Sequence, residues 1–125
     1  MEIKKISTEN APKAIGPYSQ AIAVGNLIFT SGQIPINPVS GAVEAVGITD
    51  QAEQVMKNLD AVLKEAGTSF ENTIKTTCFL ADMQDFAAFN EVYAKYFTQN
   101  PARSCVAVKE LPKGVLCEVE VIALC

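Results

Sequence analysis

A chain of 125 residues is one domain's worth of polypeptide, and 49% apolar with 19% charged residues is the composition of a compact globule able to build a core, not of a disordered tail. It contains no histidine, which excludes Ser-His-Asp and Cys-His relays, imidazole metal clusters and paired-histidine cleavage of RNA. Nine of its ten basic residues are lysines, Arg103 is the single arginine, and a net charge of −4 works against a general nucleic-acid binder.

In chain order, residues 20–24 and 27–33 are apolar and β-prone with Gly25-Asn26 between them, which predicts a hairpin. Pro35, Pro38 and Gly41 then punctuate a loop. From Ile48 the apolar residues Ala52, Val55, Met56, Leu59, Val62, Leu63 and Ala66 recur at three- and four-residue steps, so they share one helical face. Asp50 with Glu53 reads as an N-terminal capping pair and Gly67 as the residue past the helix end. Residues 72–80 are rich in β-branched and aromatic types and predict a strand. A second helix is expected from Asp82 or Asp85 to about Phe97, burying Phe86, Phe89, Tyr93 and Phe97. Strands near 103–109 and 116–124 close the chain around a turn at Pro112 and Gly114, with Pro101 biasing Asn100 toward an extended backbone. No repeat or composition shift divides the sequence, so residues 1–125 read as one α+β domain with two helices on one face of a mixed sheet.

No segment approaches the roughly 18 uninterrupted apolar residues of a spanning helix, and no secretory leader is evident. Cys78, Cys105, Cys117 and Cys125 lack metal-site spacing, so no metal is expected, and reduced thiols in the cytoplasm fit best.

Chemistry must therefore come from carboxylates, tyrosine, lysine, cysteine or the one guanidinium. A strand beginning after Pro101 places Arg103 and Cys105 on one face; packing is the expected role of Cys105, with a redox-sensitive thiolate favoured by the guanidinium as the alternative. Glu118 and Glu120 share a face of the last strand, opposite Val119 and Val121. Whether Arg103 faces them depends on register. Asn90 lies at the edge of the buried helical stripe, Tyr18 follows a rigid Gly-Pro turn, and Ser31-Gly32 ends a strand where a backbone amide can approach a ligand. Each of these has an ordinary structural explanation taken alone.

The strings Ala14-Ile-Gly-Pro-Tyr-Ser-Gln20, Phe29-Thr-Ser-Gly-Gln-Ile-Pro35, Phe89-Asn-Glu-Val-Tyr93, Pro101-Ala-Arg-Ser-Cys-Val106, Leu111-Pro-Lys113 and Glu118-Val-Glu120 occur in this order along essentially the whole chain. Together they resemble the RidA/YjgF family of enamine/imine deaminases, also called L-PSP endoribonuclease-like proteins, and the Pro-x-Arg-Ser string resembles its RidA subfamily. The resemblance implies a chorismate-mutase-like subunit assembled as a homotrimer with clefts between subunits. It implies hydrolysis of 2-aminoacrylate and related 2-imino acids to 2-keto acids and ammonia, with no metal or bound cofactor. By position it makes Arg103 the group that holds the substrate carboxylate and Glu118 the one that orients water, with Cys105 and Glu120 beside them. Tyr18, Ser31, Gly32 and Asn90 resemble the wall contributed across the subunit boundary. Val121, where many members carry alanine, bears on packing near the glutamates and leaves the choice between Glu118 and Glu120 open.

The chemistry is consistent with such a site. A protonated imine carbon is already electrophilic, so fixing the carboxylate and placing one water nearby accelerates hydrolysis through proximity and charge stabilisation, without histidine. Two other functions are kept in view: metal-independent RNA cleavage, and non-catalytic or chaperone-like binding of small carboxylates.

Overall fold

The computed structural model describes residues 1–125. Six strands form one sheet: β1 (Ile3–Ile6), β2 (Ala21–Val24), β3 (Leu27–Thr30), β4 (Thr73–Leu80), β5 (Ala102–Ala107) and β6 (Cys117–Leu124), in the spatial order β1-β2-β3-β6-β4-β5. All neighbours are antiparallel except β4 and β5, whose parallel pairing uses helix α2 (Phe86–Tyr96) as the crossover that such pairs require. No helix is long and apolar enough to cross a membrane.

The expected α+β arrangement is observed. The β2–β3 turn has a positive φ at Gly25 (58°), followed by Asn26, as a two-residue hairpin demands. Helix α1 (Ile48–Glu65) buries Ala52, Val55, Met56, Leu59, Val62 and Leu63 completely against the sheet. Burial this complete makes a Leu→Ala change at position 59 or 63 cost about 2–5 kcal/mol. Gly67, at φ 84°, ends α1 by donating to the Lys64 carbonyl while Thr68 N–H donates to Leu63, the paired pattern of a Schellman terminus.

Several boundaries differ from expectation. β1 is an additional edge strand, obscured in the sequence because Lys4 and Lys5 interrupt the apolar pattern while suiting an exposed edge. β3 leaves the ladder at Thr30, three residues before an isolated bridge between Gln33 and Val119. Asp50 and Glu53 do not form a capping pair: Gly47 is the N-cap without side-chain assistance. Glu53 instead crosses to α2, where it pairs with Lys95 and accepts a 2.5 Å bond from the Tyr96 hydroxyl. Asp82 accepts from Gln84 N–H at a short 3-10 turn (Met83–Asp85), and α2 follows with Asp85 as N-cap. Asn100 is not extended but takes φ 53°, a left-handed turn that asparagine tolerates, which redirects the chain from α2 into β5.

Both helices cover the same side of the sheet. The other side carries Phe29, Ile122, Val106, Glu118 and Glu120 without any layer above it; Phe29 is 39% and Val106 46% exposed.

Candidate functional site

The register left open by the sequence is decided by the sheet order. β4 lies between β5 and β6, with Thr76 opposite both Arg103 and Val121, and Thr77 opposite Glu120. Side chains at one level share a face, so Arg103, Cys105, Thr76, Cys78 and Val121 point toward the helices. Glu118 and Glu120 point to the uncovered side. Within one chain the guanidinium and the carboxylates stand on opposite faces of the sheet and do not form a common site.

Each belongs to its own cleft. The first, about 550 Å³, is lined by Asn90, Tyr93, Phe97, Asn100, Pro101 and Arg103. Arg103 is half-buried there. Its Nη1 donates to Asn90 Oδ1 at 2.6 Å, and its Cζ lies 4.7 Å from the Tyr93 ring centre and 5.5 Å from that of Phe86. Phe86, Asn90 and Tyr93 occupy positions i, i+4 and i+7 of α2, one face of the helix. The ion pairs of the fold are Lys64 with Asp60 and Lys95 with Glu53, so no carboxylate within 4 Å neutralises Arg103. A planar fork with an open edge and an uncompensated charge is suited to a carboxylate ligand.

Cys105 lies beside Arg103 on this face and opposite Cys78. Packing, the role expected of Cys105, is what the site supports: burial raises its thiol above the usual range and outweighs the opposing effect of Arg103. Burial pushes Cys78 and Cys117 up to about 12. These sulfurs are packing groups at neutral pH.

The second cleft, about 390 Å³, brings together Lys13, Tyr18, Gln20, Ser31, Gly32, Gln33 and Glu118. Its wall is a loop held in place by buried amides. Asn58 Nδ2 donates to the carbonyls of Ile34 and Ile36, and Gln51 Oε1 accepts from Leu116 N–H. Gln20 Oε1 accepts from Thr8 N–H, while its Nε2 donates to the carbonyls of Thr8 and Pro12. Ser31 Oγ donates to Ser19 O at 2.6 Å. Gly32 is required by the approach of Glu118, because a Cβ there would lie 2.2 Å from Glu118 Oε2. The Glu118 carboxyl is raised above the usual carboxylate range, first by burial and second by Glu120.

The structure therefore gathers Tyr18, Ser31, Gly32 and Glu118, and separately gathers Arg103, Cys105 and Asn90. Asn90, expected on the wall with Tyr18, stands instead against Arg103. Glu120 shares the uncovered face without lining the cleft that Glu118 lines. Sequence reasoning missed the Phe86 and Tyr93 contacts with the guanidinium, since aromatics at helical spacing read as core. It also missed Gln20, Gln51 and Asn58, buried amides whose partners lie 4 to 65 residues away.

The family model for endoribonuclease L-PSP matches residues 8–125. The chain belongs to the RidA/YjgF (L-PSP) family. It is 56% identical over 119 residues to the RutC family protein PH0854 of Pyrococcus horikoshii, covering 94% of each. It is 49% identical over 125 residues to the 2-iminobutanoate/2-iminopropanoate deaminase of Escherichia coli K12, covering 97% of each. Its fold superposes on crystalline E. coli TdcF with bound serine at a TM-score of 0.93, with 44% identity and 98% of each chain covered. This RidA/YjgF chain thus shares nearly its whole length with relatives of which one is named a deaminase of 2-imino acids and another holds serine.

Proposed function

We propose that this protein hydrolyses small 2-imino acids to 2-keto acids and ammonia, in a site completed by a second copy of the chain. The observation that carries the reading is the uncompensated Arg103 guanidinium on one sheet face, with the Glu118 cleft on the other. The 49% identity to the E. coli deaminase supports the reaction class, and the serine held by TdcF supports a ligand of this size.

In this reading the Arg103 fork binds the substrate carboxylate through two parallel hydrogen bonds. Glu118 of the adjoining copy accepts a proton from water as its oxygen attacks the C=N carbon. The resulting amino alcohol expels ammonia after the proton passes to nitrogen, and the carbonyl forms. One water is consumed for each keto acid and ammonia released. A carboxyl raised above its usual range by burial is suited to both proton transfers. The two clefts lie on opposite faces, so joining them makes a head-to-tail contact, which forms a ring of three or more copies where the rotation between them closes. The uncovered sheet face with Phe29, Ile122 and Val106 offers the apolar surface such a ring buries.

Mixing impaired copies tests both halves of the proposal. Arg103→Ala and Glu118→Gln chains, each alone lowered at least about a hundred-fold in forming 2-ketobutyrate from 2-iminobutyrate after the spontaneous rate is subtracted, should recover about a quarter of wild-type activity when unfolded and refolded together in equal amounts, because one seam in four then pairs the intact halves. No recovery would rule out a shared site. The family description also names RNA cleavage; fragments of single-stranded RNA that vanish with Arg103→Ala would favour that activity instead.

A further inference from the structure

Arg103 is held by an unusual set of partners: one amide oxygen, two aromatic rings and no carboxylate. The nearer ring, Tyr93, is itself fixed. Its hydroxyl lies 2.8 Å from Thr76 Oγ1 on the buried face of β4, where both are shielded from solvent, and its ring stacks on Phe97 at 4.5 Å between centres. Thr76 is the residue directly opposite Arg103 in the parallel β4–β5 ladder. The hydroxyl contact therefore links the aromatic support to the same rung of the sheet that carries the arginine.

We propose that Tyr93, pinned by Thr76, is a positioning residue that sets the height and tilt of the Arg103 guanidinium and so its affinity for the substrate carboxylate. The inference rests on the imino-acid reading for its ligand, but its geometry can be tested without it. Physically, a neutral aromatic face attracts the cation without occupying the hydrogen-bonding edge that a carboxylate partner would block. Asn90 consumes one N–H, leaving the others free. Burial raises the Tyr93 phenol above its usual range, so no phenolate competes with the ligand for the cation.

The single arginine supplies a direct probe, because a 15N-labelled protein has only one guanidinium Nε–H resonance. In the wild type that signal should be displaced upfield by the ring currents of Tyr93 and Phe86. Tyr93→Leu should return it most of the way to the free-arginine position, and Tyr93→Phe should keep it displaced. In parallel, Tyr93→Leu should weaken 2-ketobutyrate binding by calorimetry about ten-fold and raise KM more than it lowers kcat. The same change should be silent on residual turnover in an Arg103→Ala background, which a merely structural role would not predict.

An undisplaced wild-type resonance, or a Tyr93→Leu variant with unchanged resonance and affinity, would overturn the proposal. If Tyr93→Leu does not fold, Tyr93→Phe and Thr76→Val decide. Each should weaken binding about three-fold, the value of one hydrogen bond, and the double variant no further. Unchanged affinity in both, or additive losses, would overturn it. Absence of imino-acid turnover by the wild type would refute the reaction and leave the resonance test of Tyr93 intact.

Discussion

The two clefts hold their key groups in opposite ways. Around Arg103 the support is a helix and a strand, with aromatic faces and one amide oxygen, and the charge lacks a counter-ion. Around Glu118 the support is a loop fastened by buried glutamine and asparagine side chains, and the carboxyl is disfavoured as an anion by burial and by Glu120. One half presents a cation seeking an anion; the other presents an acid that a neighbouring cation would ionise. Each is electrostatically incomplete in the isolated chain.

Removing the cation should break the comparison most severely. Arg103→Ala is expected to lower kcat/KM for 2-iminobutyrate at least about a hundred-fold, and Arg103→Lys by about ten-fold or more, since a point charge replaces a bidentate fork. Circular dichroism should report an unchanged fold, because Arg103 is not part of the apolar core. A fully active Arg103→Lys protein would show that the fork geometry is irrelevant.

Next in size is Gly32→Ala. The backbone there lies outside the left-handed region, so the added Cβ acts only by displacing Glu118. Misplacing the carboxylate by about an ångström should lower kcat about ten- to a hundred-fold, with the substrate's carboxylate affinity little changed. In a Glu118→Gln background the same substitution should add nothing to the loss in kcat.

The smallest effects concern two glutamates shifted in opposite directions. Lys95 first, and Tyr96 second, hold the Glu53 carboxyl below its usual range. Its contribution to stability is therefore present above the unfolded-state pKa and lost as pH falls through the folded one. Glu53→Gln should destabilise the protein by about 1 kcal/mol at neutral pH, as expected for a partly exposed pair, and match the wild type in strong acid. Glu118 is raised, so the cost of ionising it is absent below the unfolded-state pKa and appears as pH rises through the folded one. Glu118→Gln should stabilise the separated chain at neutral pH and lose that advantage on acidification. Denaturant unfolding across pH reads both, and like signs for the two variants would refute the assignment of causes.

Much of the fold was legible because α1, α2 and β6 carry clear periodicities: Val55, Leu59 and Val62 at helical steps, and Val119, Val121 and Ala123 at alternate positions. The candidate groups were legible as residue types, since a histidine-free chain with one arginine has few alternatives. Their mutual placement was not. Sheet order is a long-range property, and nothing local to β5 or β6 says that β4 lies between them. Asn90 was recognisable as a boundary amide, yet its partner, 13 residues on, depends on how α2 settles over β5. Glu53 was misread because the same Asp-x-x-Glu pattern serves a capping box or an interhelical clasp, and α1 begins at Ile48, before Asp50 could act as the cap.

Gln20 fastens the N-terminal segment to the sheet. Its carbonyl takes one backbone proton, and its amide protons reach the carbonyls of Thr8 and Pro12, so the first dozen residues are strapped across the sheet by one uncharged side chain. A glutamate there would have almost the same shape but would aim lone pairs at two carbonyl oxygens. The strap would then peel, carrying Lys13 and Tyr18 away from the rim they share.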